Sequence, residues 1–163
     1  MLIQKRLLMG LAAFFLGSTI CVFAAERPSN LTVTNPVGYW KINDEITGQA
    51  KSIVHISQGN NQLLNAKVIK IFSSYNASQN TICTACQGEN HNQPIIGMVI
   101  MSGLQQVDKE WIDGNILDPK NGKTYKCSVR LTDKGKKLYV RKFSRLALFG
   151  HLQTWERVDF NAG

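Results

Sequence analysis

Tyr125, Cys127, Val129 and Leu131 alternate with Lys126, Ser128, Arg130 and Thr132, the period-two pattern of a strand with one dry face and one wet face. An apolar run begins upstream at Trp111, and Asp118-Pro119-Lys120-Asn121-Gly122 lies between the two. The proline presets φ and the glycine accepts positive φ, so the chain reverses here and the Trp111–Cys127 stretch reads as a hairpin. Strand patterning recurs at Val37–Ile42, Lys51–Ile56, Leu63–Phe72, Ile95–Leu104, Glu110–Leu117, Thr124–Leu131, Lys137–Phe143 and His151–Val158. One weak helical candidate, Arg145–Phe149, interrupts the series. Short strands at close spacing predict an antiparallel meander. A sheet of this size protects its edges by closing, and an eight-stranded barrel either fills its interior with side chains or holds one small ligand there. The expected fold class is therefore all-β, an antiparallel eight-stranded barrel.

Two strands are apolar on both faces. Ile95, Val99 and Met101 alternate with Ile96, Met98 and Ile100, and Leu63, Ile69 and Ile71 alternate with Leu64, Ala66 and Val68. One of those faces packs against something other than bulk water. The longest irregular piece, Ser73–Pro94, is rich in Asn, Ser, Gln and Gly and carries two cysteines, which reads as a lid or a stapled loop.

Lys5 and Arg6 precede an apolar run from Leu7 to Ala25, the layout of a secretory signal peptide. Cleavage after Ala24 places small Val22 and Ala24 at the two positions a signal peptidase inspects. An uncleaved anchor is the competing reading, since a bilayer span needs about 20 residues, but the small-residue end favours cleavage. Lipidation at Cys21 is disfavoured by bulky Ile20. Residues 25–163 are then a single exported domain, periplasmic or secreted, with no stable membrane insertion after cleavage. The formal net charge of +8 includes both lysine and arginine of the leader. On an exported protein this charge favours solubility and attraction to anionic surfaces, while a location outside the cytoplasm leaves no nucleic acid as an expected partner. The sequence leaves the oligomeric state open.

Val37-Gly38-Tyr39-Trp40-Lys41, Lys51-Ser52-Ile53-Val54, Pro94-Ile95-Ile96-Gly97-Met98, Ile116 to Cys127, and Gln153-Thr154-Trp155-Glu156-Arg157 occur in that order. Together they resemble the DUF2147 family of small exported bacterial proteins, whose fold is lipocalin-like. Gly38, Trp40 and Arg157 also resemble the lipocalin signature, which implies an arginine packed across a tryptophan at the closed end of a barrel. The chain departs from the family pattern at Lys142 and at His151-Leu152, and those departures limit what the resemblance implies about ligand contacts.

Cys83-Thr84-Ala85-Cys86 is the sharpest chemical signal, with Cys127 the third cysteine beyond the leader. In an oxidising compartment the default is a disulfide, formed either between Cys83 and Cys86 or between one of them and Cys127. Thiol-redox catalysis requires such a pair at a helix N-terminus, whereas here it falls between strands. His91 with the three cysteines matches zinc chemistry in ligand type but not in spacing. His55, His91 and His151 lie in no catalytic spacing, and Gly122-Lys123-Thr124 lacks the earlier glycine of a phosphate loop, since Leu117 stands there. Carboxylates such as Asp44-Glu45 fall in predicted turns. No catalytic residue, cofactor or metal is expected, and the protein is read as a non-enzyme. Lys134, Lys136, Lys137, Arg141, Lys142 and Arg145 form a basic cluster that is either a solvated rim or a mouth that steers an anionic ligand. The expected function is binding a small apolar or amphipathic ligand inside the barrel, with Met98, Ile100, Trp111, Tyr125, Tyr139 and Trp155 as candidate wall residues. A filled barrel with an interaction role, or a cysteine-based metal or thiol site, is the alternative.

Overall fold

Alternating burial along the chain produces eight antiparallel strands in the computed structural model, which describes residues 34–72, 82–144 and 147–161. They are β1 (Gly38–Asn43), β2 (Ala50–Gln58), β3 (Leu64–Ile71), β4 (Val99–Val107), β5 (Glu110–Asp118), β6 (Lys123–Thr132), β7 (Lys137–Ser144) and β8 (Ala147–Val158). Each pairs with its sequence neighbour, and β1 pairs with β8 through Tyr39↔Val158 to Ile42↔Trp155, so the sheet is a closed barrel with no unpaired edge. All eight expected strands are present. The helical candidate is corrected, because β8 already begins at Ala147. Ile95–Met98 is also not strand: Gly97 adopts φ +92° and Met98 N–H donates to Ile95 O at 3.1 Å, making a turn ahead of β4. The leader and its cleavage site lie outside the described residues.

Strict alternation is broken where the barrel bends. The β5–β6 register shifts between Trp111 and Gly114, with Asp113 at φ +61°, so Trp111 and Gly114 both face inward although three positions apart. A shift between Ile53 and Val54 similarly buries Ser52, Ile53 and Val54 in succession. The inward side chains include Trp40, Val54, Ile56, Leu64, Leu104, Trp111, Val129, Leu138, Val140 and Trp155, all within one apolar core.

The β2–β3, β4–β5 and β6–β7 turns gather at one end of the barrel with the start of β1 and the finish of β8. That end is closed by Arg157. Its guanidinium lies 4.3 Å from the centre of the fully buried Trp40 ring. Nε donates to Gly135 O at 2.7 Å, one terminal nitrogen to Val37 O at 2.8 Å and the other to Asn35 O at 2.8 Å. Trp40 Nε1 in turn donates to Pro36 O at 2.8 Å. Gly38 is required beside this fork, because its φ is +133° and a Cβ there would stand 2.7 Å from an Arg157 nitrogen. Burial pulls the Arg157 guanidinium below its ordinary value. The plug implied by Gly38, Trp40 and Arg157 is thus formed.

Arg157→Lys keeps the charge but loses the planar fork, so the donors of one compact ammonium no longer reach all three carbonyls at once. Unfolding in urea should show a loss of about 2–4 kcal/mol, and an unchanged midpoint would remove this contact from the closed end.

Cys127 pairs with Gly114 across β5 and β6 and is almost fully buried. Burial pushes its thiol from the ordinary 9.0 up to about 12, with Lys126 opposing. The folded state therefore keeps a proton that the unfolded chain releases above pH 9, and stability falls as pH rises between these two values. Relative to Cys127→Ala, the wild type should lose about 1.4 kcal/mol per pH unit above pH 9. Parallel stability curves for the two proteins from pH 8 to 10.5 would contradict that linkage.

Candidate functional site

Trp155 lines the point at which the packed core gives way to a cavity. It is buried on β8, and its indole Nε1 donates to Gln153 Oε1 at 2.8 Å, two residues nearer the other end. Above it lies a cavity of about 370 Å³. Apolar side chains make most of its wall: Ile42 from β1, Val68 and Ile71 from β3, Ile100 from β4, and Ile116 and Leu117 from β5. Ile95, from the turn before β4, closes one side. Ser52 on β2 adds a buried hydroxyl.

The cavity's exit is polar. Lys51, Asp118, Lys120, Lys142 and Gln153 line it and also line an outer vestibule of about 420 Å³, so they form the neck between the two spaces. Alternation explains two of these positions: Lys142 follows inward Val140 by two residues on β7, and Gln153 precedes inward Trp155 by two on β8. Lys142 Nζ lies 3.7 Å from Asp118 Oδ2, with both side chains mostly buried at 19% and 24% exposure. Asp118 Oδ1 accepts the Lys120 backbone N–H at 3.1 Å, which fixes the β5–β6 turn. The vestibule is walled by Asn43 at the end of β1, by residues 44–46 of the β1–β2 loop, by Tyr125 and by His151. His151 Nε2 meets both Glu45 carboxylate oxygens at 2.7 Å, fastening that loop to β8.

The disulfide joins Cys83 to Cys86. Of the pairings left open by the sequence, this one forms, and Cys127 stays a buried free thiol. Both disulfide cysteines are buried against the core, so the described part of the stapled loop, residues 82–94, packs onto the barrel, and residues 73–81 lie outside the described residues. It is keyed to the β5–β6 turn: Cys83 Sγ lies 3.4 Å from Pro119 O, and a Cβ at Gly122 would overlap the Ala85 carbonyl. His91 Nδ1 donates to Cys86 O at 2.9 Å, within the same loop. Among the described residues no three His, Cys, Asp or Glu side chains gather in a metal-binding group.

The candidate wall residues separate into four groups. Ile100 and Trp155 line the cavity. Tyr125 lines the vestibule instead, with its hydroxyl accepting from Asn121 Nδ2 at 3.0 Å. Met98 and Trp111 are buried in the core away from the cavity wall. Tyr139 lies on the outer face between inward Leu138 and Val140, opposite Thr154 and Arg130. The basic cluster divides as well, since Lys134 and Lys136 belong to the closed-end turn, Arg141 is exposed, and Lys142 faces the neck. Lys51, Ser52, Asp118 and Gln153 were not among the candidate wall residues read from the sequence. For Ser52, Asp118 and Gln153 the signal is a polar residue on the inward phase of an otherwise apolar strand face, whereas Lys51 lies on the other phase of β2 and alternation gives no sign of it.

The chain is similar to protein HP1028 from the human pathogen Helicobacter pylori, described as belonging to the lipocalin family. The two structures superpose with a TM-score of 0.64 at 19% identity, over 78% of this chain and 85% of that one, which is a likeness of fold. No curated protein matches the chain. A family model described as an uncharacterized protein conserved in bacteria matches residues 38–157, the span from the plug glycine to the plug arginine. On that match, the chain belongs to the DUF2147 family.

Proposed function

We propose that this protein is an exported bacterial carrier, periplasmic or secreted, that holds one small and largely apolar molecule inside its barrel without transforming it. The apolar cavity of about 370 Å³ above Trp155 carries this reading, because it falls within the roughly 300–1,000 Å³ usual for small-molecule sites. Each methylene moved from water into such a wall contributes about 0.8 kcal/mol, so a short aliphatic body supplies useful affinity. The bacterial family and the Cys83–Cys86 disulfide are compatible with export. A lipocalin-family neighbour supports the barrel as a container, since eight strands enclose just enough room for one small ligand. Binding is assigned over catalysis because, among the described residues, the groups at the cavity's exit are lysines, a carboxylate and an amide arranged around a passage, and Lys142 and Asp118 there form an ion pair.

Native mass spectrometry of the protein, purified without detergent from an export host, should show an organic adduct that is released on denaturation. Val68→Phe places a ring in the cavity and should abolish the adduct while leaving the strand signature of the circular dichroism spectrum intact. A wild type that carries nothing and takes up no apolar dye would favour a filled barrel with an interaction role.

A further inference from the structure

Ser52 places a hydroxyl in the apolar part of the cavity, where a purely hydrocarbon guest does not require one. The residue shares the inward phase of β2 with Val54 and Ile56. It stands opposite Ile42 on β1 and Ile71 on β3, and Ile42 in turn stands opposite Trp155 on β8. The hydroxyl is therefore level with Trp155, below the neck. Among the described residues, Ser52 is the one polar side chain of the cavity wall that does not also line the vestibule. It is 8% exposed, and among those residues nothing hydrogen-bonds to its side chain. Every fully enclosed polar side-chain atom among them has a partner, so the Ser52 oxygen is not sealed in protein and faces the cavity. The indole N–H of Trp155, at the same level, is already taken by Gln153.

A hydrocarbon lying across Ser52 strips the hydroxyl of water and returns no hydrogen bond. A guest oxygen at that point either accepts the hydroxyl hydrogen or donates its own, and an oxygen-free analogue is then rejected by the group it leaves unpaired. An ion gains less there. Asp44, Glu45 and Asp118 stand against Lys51, Lys120 and Lys142 around the vestibule, and Lys142 pairs with Asp118 at the neck. A carboxylate at Ser52 would thus be withdrawn from water beside cations that are already balanced.

We infer that the Ser52 hydroxyl is the specificity-determining contact of the cavity, so that the barrel selects neutral molecules with a carbonyl or hydroxyl on an apolar body over hydrocarbons and over acids of similar shape. The inference rests on the carrier reading above and narrows its ligand class. The apolar body lies among Val68, Ile100 and Ile116, and its oxygen lies at Ser52.

Calorimetric titration of the purified protein, freed of bound guest, with ethylbenzene, acetophenone, 1-phenylethanol and benzoate tests this. Benzoate should bind wild type about tenfold or more weakly than acetophenone. Ser52→Ala removes the oxygen alone, and it should weaken acetophenone, 1-phenylethanol or both by about fivefold or more while leaving ethylbenzene within about twofold. The probe that weakens names the guest's group as carbonyl or hydroxyl. Ser52→Thr, which keeps a hydroxyl, should keep the ratio of oxygenated-probe to hydrocarbon affinity near that of wild type, which a change in cavity shape alone would not restore. Equal changes for all probes in Ser52→Ala, or benzoate bound as tightly as acetophenone, overturns this selectivity while the carrier reading stands. Failure of ethylbenzene and both neutral oxygenated probes to bind wild type overturns both.

Discussion

Stacking of the Arg157 guanidinium on Trp40 is the contact on which the barrel's form depends. One planar group meets carbonyls from Asn35, Val37 and Gly135 while covering an indole, so it ties the strand that opens the barrel to the strand that closes it and to the β6–β7 turn. A lysine in that place supplies the charge but not three divergent donors in one plane. Sealing this end commits the interior to a single direction of access. The same contact explains the graded interior: large rings and branched aliphatics fill the sealed half, whereas beyond Trp155 the wall is aliphatic and leaves space.

The opposite end is governed by polar fastenings instead of packed rings. The β1–β2 loop is clasped to β8 through Glu45 and His151, and the disulfide loop rests on the β5–β6 turn at Gly122. Exposed ion pairs hold such loops weakly, with about 0–1 kcal/mol the usual range. The Cys83–Cys86 bond works differently, since it shapes a short loop whose two cysteines are buried and whose Ala85 carbonyl meets the neighbouring turn at Gly122. In this form the cysteine pair is a wall support, and Ile95 enters the cavity lining just after it.

Much of this was legible in the residue pattern, for physical reasons. Period-two alternation from Tyr125 to Leu131 and the Asp118–Gly122 turn specify β5 and β6, and Gly38, Trp40 and Arg157 mark the plug. The site was less legible, because alternation says which residues share a face but not which end of a strand is open. Trp111 and Trp155 both face inward, yet only Trp155 reaches the cavity, since Trp111 sits near the sealed end of β5. Tyr139 shows the cost of a one-residue error in phase, which moves a side chain from inside to outside. Bulges erase the phase altogether: no alternation rule carries Trp111 and Gly114 to the same side, or buries Ile53 beside Val54. Lys142 was counted with its basic neighbours along the chain, whereas the fold separates it from Arg141 by placing the two on opposite faces.

The unequal construction of the two ends has a consequence for how the molecule breathes. Backbone amides around Trp40, Val54 and Val140 are enclosed by interdigitated rings and aliphatics, and they exchange with solvent hydrogen only when the whole barrel comes apart. Amides of the β1–β2 loop and the Asp118–Gly122 turn are held by local hydrogen bonds at the surface and exchange through small, frequent openings. Under the carrier reading, entry and exit of a guest would draw on fluctuations of the rim, and the free energy that keeps the barrel folded would not be spent in letting a molecule pass.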